Sequence, residues 1–240
     1  MAELEVIKHA KKGYKSLKDP HKHWTEKLKD IAIEIFIIVF AISLTLYFEH
    51  LAEKHHERQI AKEFLTGLNK DLRSDLKELS SDSAMYMMVQ KGFAYFLKAE
   101  ETNTLSKDSI ERYYMTLWNT TQLQPNNSRF EGLRSSGNLD VIEDKELLNN
   151  ILELYQEKIP SLMMVTNSFT RFKEEQLMPY LDENIVVSHT NESNLELLLH
   201  KPILQNYLRR GVGISEILDR YHSVLNQCRL IIHQIENQAG

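Results

Sequence analysis

The sequence predicts an all-α protein, with one N-terminal transmembrane helix continuing into a long rod and an extracytoplasmic helical bundle. Three observations carry that prediction. Residues 31–48 form an 18-residue apolar run holding one charge, Glu34. Elsewhere apolar residues recur at three- and four-residue steps, the helical period. Gly and Pro number only 8 and 5 in 240 residues, too few turn formers for a sandwich or a barrel.

Composition narrows the function. Hydrophobic residues are 42 % and charged residues 26 % of the chain, a folding rather than a disordered profile. The formal charge of −5 argues against nucleic acid as a partner. The single cysteine, Cys228, excludes an intrachain disulfide and a cysteine-built zinc or iron–sulfur centre within one chain.

Residues 1–30 read as a basic cytoplasmic arm, with eight Lys against five acidic side chains. Residues 49–65 hold only Lys54, Arg58 and Lys62, so the positive-inside rule puts the N-terminus in the cytoplasm. Residues 52–240, with 21 basic and 27 acidic side chains, then lie outside the cytoplasm. Val6, Ala10, Tyr14 and Leu17 share one stripe of the arm, which either lies on the inner membrane face or is a solvated flank.

The membrane helix is placed at 31–51. At 1.5 Å per residue, 18 to 21 residues cover roughly the 30 Å of a hydrocarbon core. Trp24 before the run and Tyr47 and Phe48 at its end suit the two headgroup regions. A soluble core helix is the alternative, but few such helices are apolar on every face for five turns. No small-x-small cleavage site follows in Glu49-His50-Leu51-Ala52-Glu53-Lys54, so the run reads as an uncleaved anchor. Glu34 has two readings: it reaches the cytoplasmic interface toward Lys27, or it contacts a second membrane helix. Ile33, Ile37, Ala41 and Thr45 form the stripe beside it, and Ala41-x-x-x-Thr45 permits close helix approach.

The rod continues through Ala61, Leu65, Leu68, Leu72, Leu76 and Leu79, with Phe64 beside them. The opposite face is assigned Glu63, Lys70, Arg73, Asp75, Lys77 and Glu78. Ser80-Ser81-Asp82-Ser83 either interrupts the helix or faces water, and a second helical portion carries Met85 through Leu97. Ser106 is an N-cap for a short helix. Residues 119–127 form a loop, and Ser128-Arg129-Phe130-Glu131 fits a capping box. Gly137 suits a left-handed helix end. Asp144 opens a long helix that Pro160 kinks or restarts, continuing to Pro179. Ile185-Val186-Val187 is the one β-like run, too isolated to found a sheet. The last helix repeats at Ile214, Leu218, Tyr221, Leu225, Cys228, Ile232 and Ile235. Ile217, Val224 and Ile231 widen that stripe toward a bundle rather than a two-stranded coiled coil.

Motifs for chemistry are sparse. Glu53 and His56 make one Glu-x-x-His pair beside Glu49, but no second pair completes a di-iron set, so no metal and no cofactor are expected. A juxtamembrane collar with His50, His55 and His56 fits the segment better. There is no P-loop, dinucleotide fingerprint, nucleophile elbow or zincin motif, hence no enzyme and no catalytic residue. Arg209-Arg210-Gly211-Val212-Gly213 reads as a helix–helix turn or an anion-holding N-terminus. Cys228 reads as a buried thiol. Tyr86, Phe93, Phe96, Tyr113, Tyr114 and Trp118 read as core or as a pocket lining.

Glu34-Ile35-Phe36-Ile37-Ile38-Val39-Phe40-Ala41-Ile42 leads into Leu65-Thr66-Gly67-Leu68-Asn69-Lys70-Asp71-Leu72. With Phe130-Glu131-Gly132-Leu133-Arg134-Ser135-Ser136-Gly137-Asn138-Leu139, the chain resembles a domain-of-unknown-function family of single-pass bacterial membrane proteins. The resemblance covers most of the chain after residue 25. It implies an N-terminal anchor and a helical exterior domain, and it brings no catalytic residues. The function expected is a non-catalytic, membrane-anchored interaction or accessory protein of a bacterial envelope complex. Its partners are the lipid bilayer and another membrane or envelope protein, or a second copy of the chain. The alternative is a sensory or small-ligand-binding exterior domain that signals through a separate partner.

Overall fold

A computed structural model describes residues 7, 8, 11, 24–102, 106–186 and 193–239. The arm stripe of Val6, Ala10, Tyr14 and Leu17 lies outside the described residues, as does Val187. The fold is all-α, with no strand among the described residues. The chain divides into two compact units, residues 1–61 and 62–240.

One helix, α1 (Trp24–Thr102), contributes to both units. In the first unit it is a single helix with no buried residue among those described. In the second its buried positions are Phe64, Leu68, Leu72, Asp75, Leu79, Asp82, Tyr86, Val89, Phe93 and Phe96. These steps of four and three are those of a bundle helix packed on one stripe. Two sequence assignments change here. Asp75 and Asp82 sit on the buried stripe rather than the solvent face, while Leu65 and Leu76 are half-buried at its edges. The helix runs unbroken through Ser80 and Ser81, which face water.

After α1 come α2 (Lys107–Tyr113) and a 3-10 turn over Tyr114–Leu117. Ser106 caps α2, its hydroxyl accepting the Ser109 N–H at 3.2 Å. Residues 118–127 are not helical. Thr, Asn and Pro125 disfavour a helix there, and Leu123 is the one aliphatic side chain the stretch buries. Next, α3 (Ser128–Ser135) starts without a side-chain cap. The expected capping box does not form, because Asn127 takes the cap position and Glu131 pairs with Arg134 at 2.8 Å. Its end is a Schellman motif: Gly137 has φ 75, its N–H reaches the Arg134 carbonyl, and the Asn138 N–H reaches that of Leu133.

Residues 145–184 form one helical run in three pieces, α4 (Lys145–Glu153), α5 (Ile159–Phe172) and α6 (Met178–Asn184). Asp144 caps it by accepting the N–H groups of Glu146 and Leu147. Wide π-turns at Leu154–Lys158 and Lys173–Leu177 join the pieces, and Pro160 or Pro179 stands two residues beyond each. Proline removes an N–H and crowds the preceding turn, and the extra residue of a π-turn relieves that crowding without breaking the helix. Two short helices follow, α7 (Leu195–Leu199) and α8 (Pro202–Val212), and then α9 (Ser215–Ala239). Gly211 lies inside α8, where the Phe93 ring packs against its bare Cα.

Side-chain pairs fix the topology of the second unit. Arg73 reaches Glu236, Tyr221 reaches Asp82, and Gln90 reaches the Val212 carbonyl, so α9 runs antiparallel to α1. Asn150 with Gln234 and Lys158 with Ser223 make α4–α5 antiparallel to α9 as well. Three helical members therefore enclose the core, whose aromatic centre is Tyr86 against Phe169 and Tyr221. Of the stripe expected to pack, Ile214 just before α9 and Tyr221, Leu225, Cys228, Ile232 and Ile235 within it are buried, while Leu218 is half-buried; Ile217, Val224 and Ile231 are buried too, which is the wide stripe of a bundle.

Candidate functional site

Two features stand out from ordinary helix packing: an apolar helix with no buried residue among those described, and a clamped non-helical strap.

The first lies in the unit of residues 1–61. Among the described residues one helix is long and apolar enough to cross a membrane; its most apolar 18-residue window has mean hydropathy 2.5 and no buried residue. Ile33, Ile37, Ala41 and Thr45 are exposed, and the Thr45 hydroxyl donates to the Ala41 carbonyl at 2.9 Å, so its polar group is satisfied within the helix. Glu34 is half-buried beside them. Trp24, Tyr47 and Phe48 are 69 %, 59 % and 60 % exposed. Phe36 stacks on Phe40 along the same helix. Apolar surface of this extent on every face needs a covering medium, either hydrocarbon or protein. His50, His55 and His56 are exposed, and the described residues contain no cluster placed to hold a metal.

The second feature lies in residues 62–240. The strap, residues 118–127, runs antiparallel along α1. Successive contacts trace its path: Gly92 packs on Thr116, Asp82 binds Thr121, Glu78 binds Gln124 and Asp75 binds Asn126. An extended segment against a core cannot satisfy its own N–H and C=O groups, so side chains must do so. Asp75 accepts the Asn126 main-chain N–H at 3.2 Å and its side-chain amide at 2.6 Å. Glu78 accepts the Gln124 N–H at 2.7 Å. Tyr86 donates to the Thr121 carbonyl at 3.0 Å, and Tyr155 to that of Asn126 at 3.4 Å. Lys173, fully buried in the second π-turn, donates to the carbonyls of Thr116 (2.9 Å) and Asn119.

The strap itself carries no charged side chain. The buried ions that hold it are therefore paired with dipoles rather than with opposite charges, and their protonation equilibria move accordingly. Burial pulls the Lys173 ammonium down from 10.5 to about 8. Burial likewise raises the Asp75 carboxyl, against the lowering pull of the two Asn126 donors. Tyr86 is pushed up to about 12 by burial, and Tyr155 and Tyr221 are raised by the same cause. Cys228 is buried and its thiol is pushed up to about 12, which makes it inert as a nucleophile.

Below the strap, Arg129 pairs with Asp71 at 2.9 Å and lies across Gly67, while Phe130 stacks on Tyr155 with ring centroids 4.6 Å apart. The segments 65–72 and 128–139, far apart in sequence, thus meet. Of the aromatics singled out, Tyr86, Phe93 and Phe96 are core, Tyr113 packs on Tyr95, and Tyr114 on Trp118. Asp75, Asp82 and Lys173 escape a reading by residue type. The signal that finds them is position: Asp75 and Asp82 continue the 68–72–79–86 stripe, and Lys173 lies between Phe169 and Leu177 at helical spacing. Comparison with known proteins gave no matching family model, no matching curated protein and no matching solved structure.

Proposed function

We propose that this chain is a single-pass, membrane-anchored interaction or accessory protein of a bacterial envelope complex, without catalytic activity of its own. The observation that carries the reading is the helix over residues 31–48, an 18-residue run with the single charge Glu34 and no buried residue among those described. The lysine excess of residues 1–30 supports a cytoplasmic N-terminus, with residues 52–240 on the periplasmic side. The role of the second unit fits the same reading. Its buried charged side chains Asp75, Asp82 and Lys173 are engaged in fastening the strap. The likeness to single-pass membrane proteins of unknown function stands on the same footing.

The test is purification of the full-length protein in mild detergent, read by mass spectrometry and particle mass. A stoichiometric second protein, in a membrane fraction that resists carbonate washing, is the expected result. A lone homo-oligomer, or recovery in the soluble fraction, would overturn the reading and favour a ligand-sensing domain or a soluble one.

A further inference from the structure

From Lys70 to Lys91 the charges of α1 are sorted by face. Its acids Asp71, Asp75, Glu78 and Asp82 turn toward the strap and α3, where each accepts hydrogen bonds from Arg129, Asn126, Gln124 and Thr121 respectively. Its outward face shows the opposite sign. Lys70, Lys77 and Lys91 are exposed there and make no ion pair among the described residues. Between Lys77 and Lys91 the same stripe is uncharged, and Met87 and Met88 are each 44 % exposed beside Ala84. This basic stripe belongs to a region, residues 52–240, that carries an excess of acid overall.

We propose that this face of α1 docks an acidic amphipathic helix of another protein, its apolar side on Met87 and Met88 and its carboxylates on Lys77 and Lys91. The proposal rests on the accessory reading and names the partner's chemistry. An apolar centre with a charged rim is the anatomy of a protein interface, and methionine adapts its shape to a partner. The stripe is straight and one helix wide, and from Lys70 to Lys91 it extends about 30 Å at 1.5 Å per residue. A second copy joined through the same face would set lysine against lysine, which disfavours a symmetric dimer. A lipid surface is disfavoured because the face offers no Trp, Phe or Leu to insert.

The test places a photo-crosslinking residue at position 88 of the full-length protein in the cells that make it, with position 176, exposed on the Lys173–Leu177 turn, as control. The expected result is one protein adduct from position 88 and none from 176, mapped to a segment whose apolar residues are flanked by Asp or Glu. Lys77→Glu with Lys91→Glu lowers the adduct yield about tenfold or more, since attraction becomes repulsion at both ends. Reversing the mapped carboxylates to Lys restores it. Because these lysines make no ion pair, the double variant keeps the helical circular-dichroism spectrum of the parent. No adduct, a lipid adduct, an adduct with a second copy, or a yield indifferent to charge reversal would overturn the proposal. If detergent purification still recovers a stoichiometric partner in any of those cases, the surface is wrong and the accessory reading stands. If no partner is recovered, both fall.

Discussion

Lys173→Met isolates the energetics of the clamp. Methionine preserves the length and apolar stem of the side chain but removes the ammonium. Two consequences oppose each other. The carbonyls of Thr116 and Asn119 lose their donor, at about 1–3 kcal/mol for each buried acceptor left unpaired. Against this, the variant is relieved of holding a cation in a dry site. The fall from 10.5 to about 8 corresponds to about 3 kcal/mol disfavouring the charged form. The unfolded chain binds this proton more tightly than the folded one, so the wild-type protein gains stability as pH rises from about 8 toward 10.5. Worked through the linkage relation, the wild-type penalty drops from about 3 kcal/mol at pH 7 to about 2 kcal/mol at pH 9. The variant has no such term. Its stability deficit relative to wild type therefore grows by about 1 kcal/mol over those two pH units. The assay is urea unfolding of the full chain in non-ionic micelles, followed by Trp118 fluorescence with Trp24 replaced by Phe. Taking the difference between variant and wild type cancels the titration of other groups. A deficit that stays constant or shrinks between pH 7 and pH 9 would refute the claim that Lys173 is buried as a cation on strap carbonyls.

Other perturbations follow from the same packing. Asp75→Asn keeps an oxygen for the Asn126 donors and removes a buried charge. Because the folded pKa of Asp75 is raised, wild type gains stability relative to this variant as pH falls through that pKa toward 3.8, measurable by the same unfolding assay. Gly211→Ala forces the buried Phe93 ring to move and costs about 1–3 kcal/mol. Gly67→Ala displaces only the flexible Arg129 guanidinium, and the better helix propensity of alanine offsets the lost pair to within about 1 kcal/mol. Equal losses in those two variants, read by thermal melts, would contradict the packing described. Gly137→Ala places a Cβ in the left-handed region and costs about 1 kcal/mol by the same melts, with the cost falling on the end of α3.

How much was legible beforehand depended on whether the governing interaction is local. The all-α class, the caps at Ser106 and Asp144, the left-handed Gly137 and the wide stripe of α9 follow from neighbours within one or two turns, and the structure has them. Residues 119–127 are a loop because Thr, Asn and Pro125 prevent a helix, a property the stretch carries in any context. The apolar run of residues 31–48 is likewise a property of composition.

Tertiary structure decided which polar groups would be buried and what for. Asp75 and Asp82 look like solvent-facing charges of an amphipathic helix until the strap arrives beside them with unpaired N–H and hydroxyl donors. Lys173 is a charge between Phe169 and Leu177 on one helix stripe until two carbonyls close on it. The capping box at Ser128 failed for the converse reason, since Asn127 had already taken the cap position at the end of the strap. Local periodicity fixes which face of a helix turns inward, because that depends on the spacing of its own side chains. Whether an ion on that face is tolerated depends on partners 40 to 60 residues away, such as Asn126 for Asp75 and Thr116 for Lys173, and only the folded chain brings them within hydrogen-bond reach.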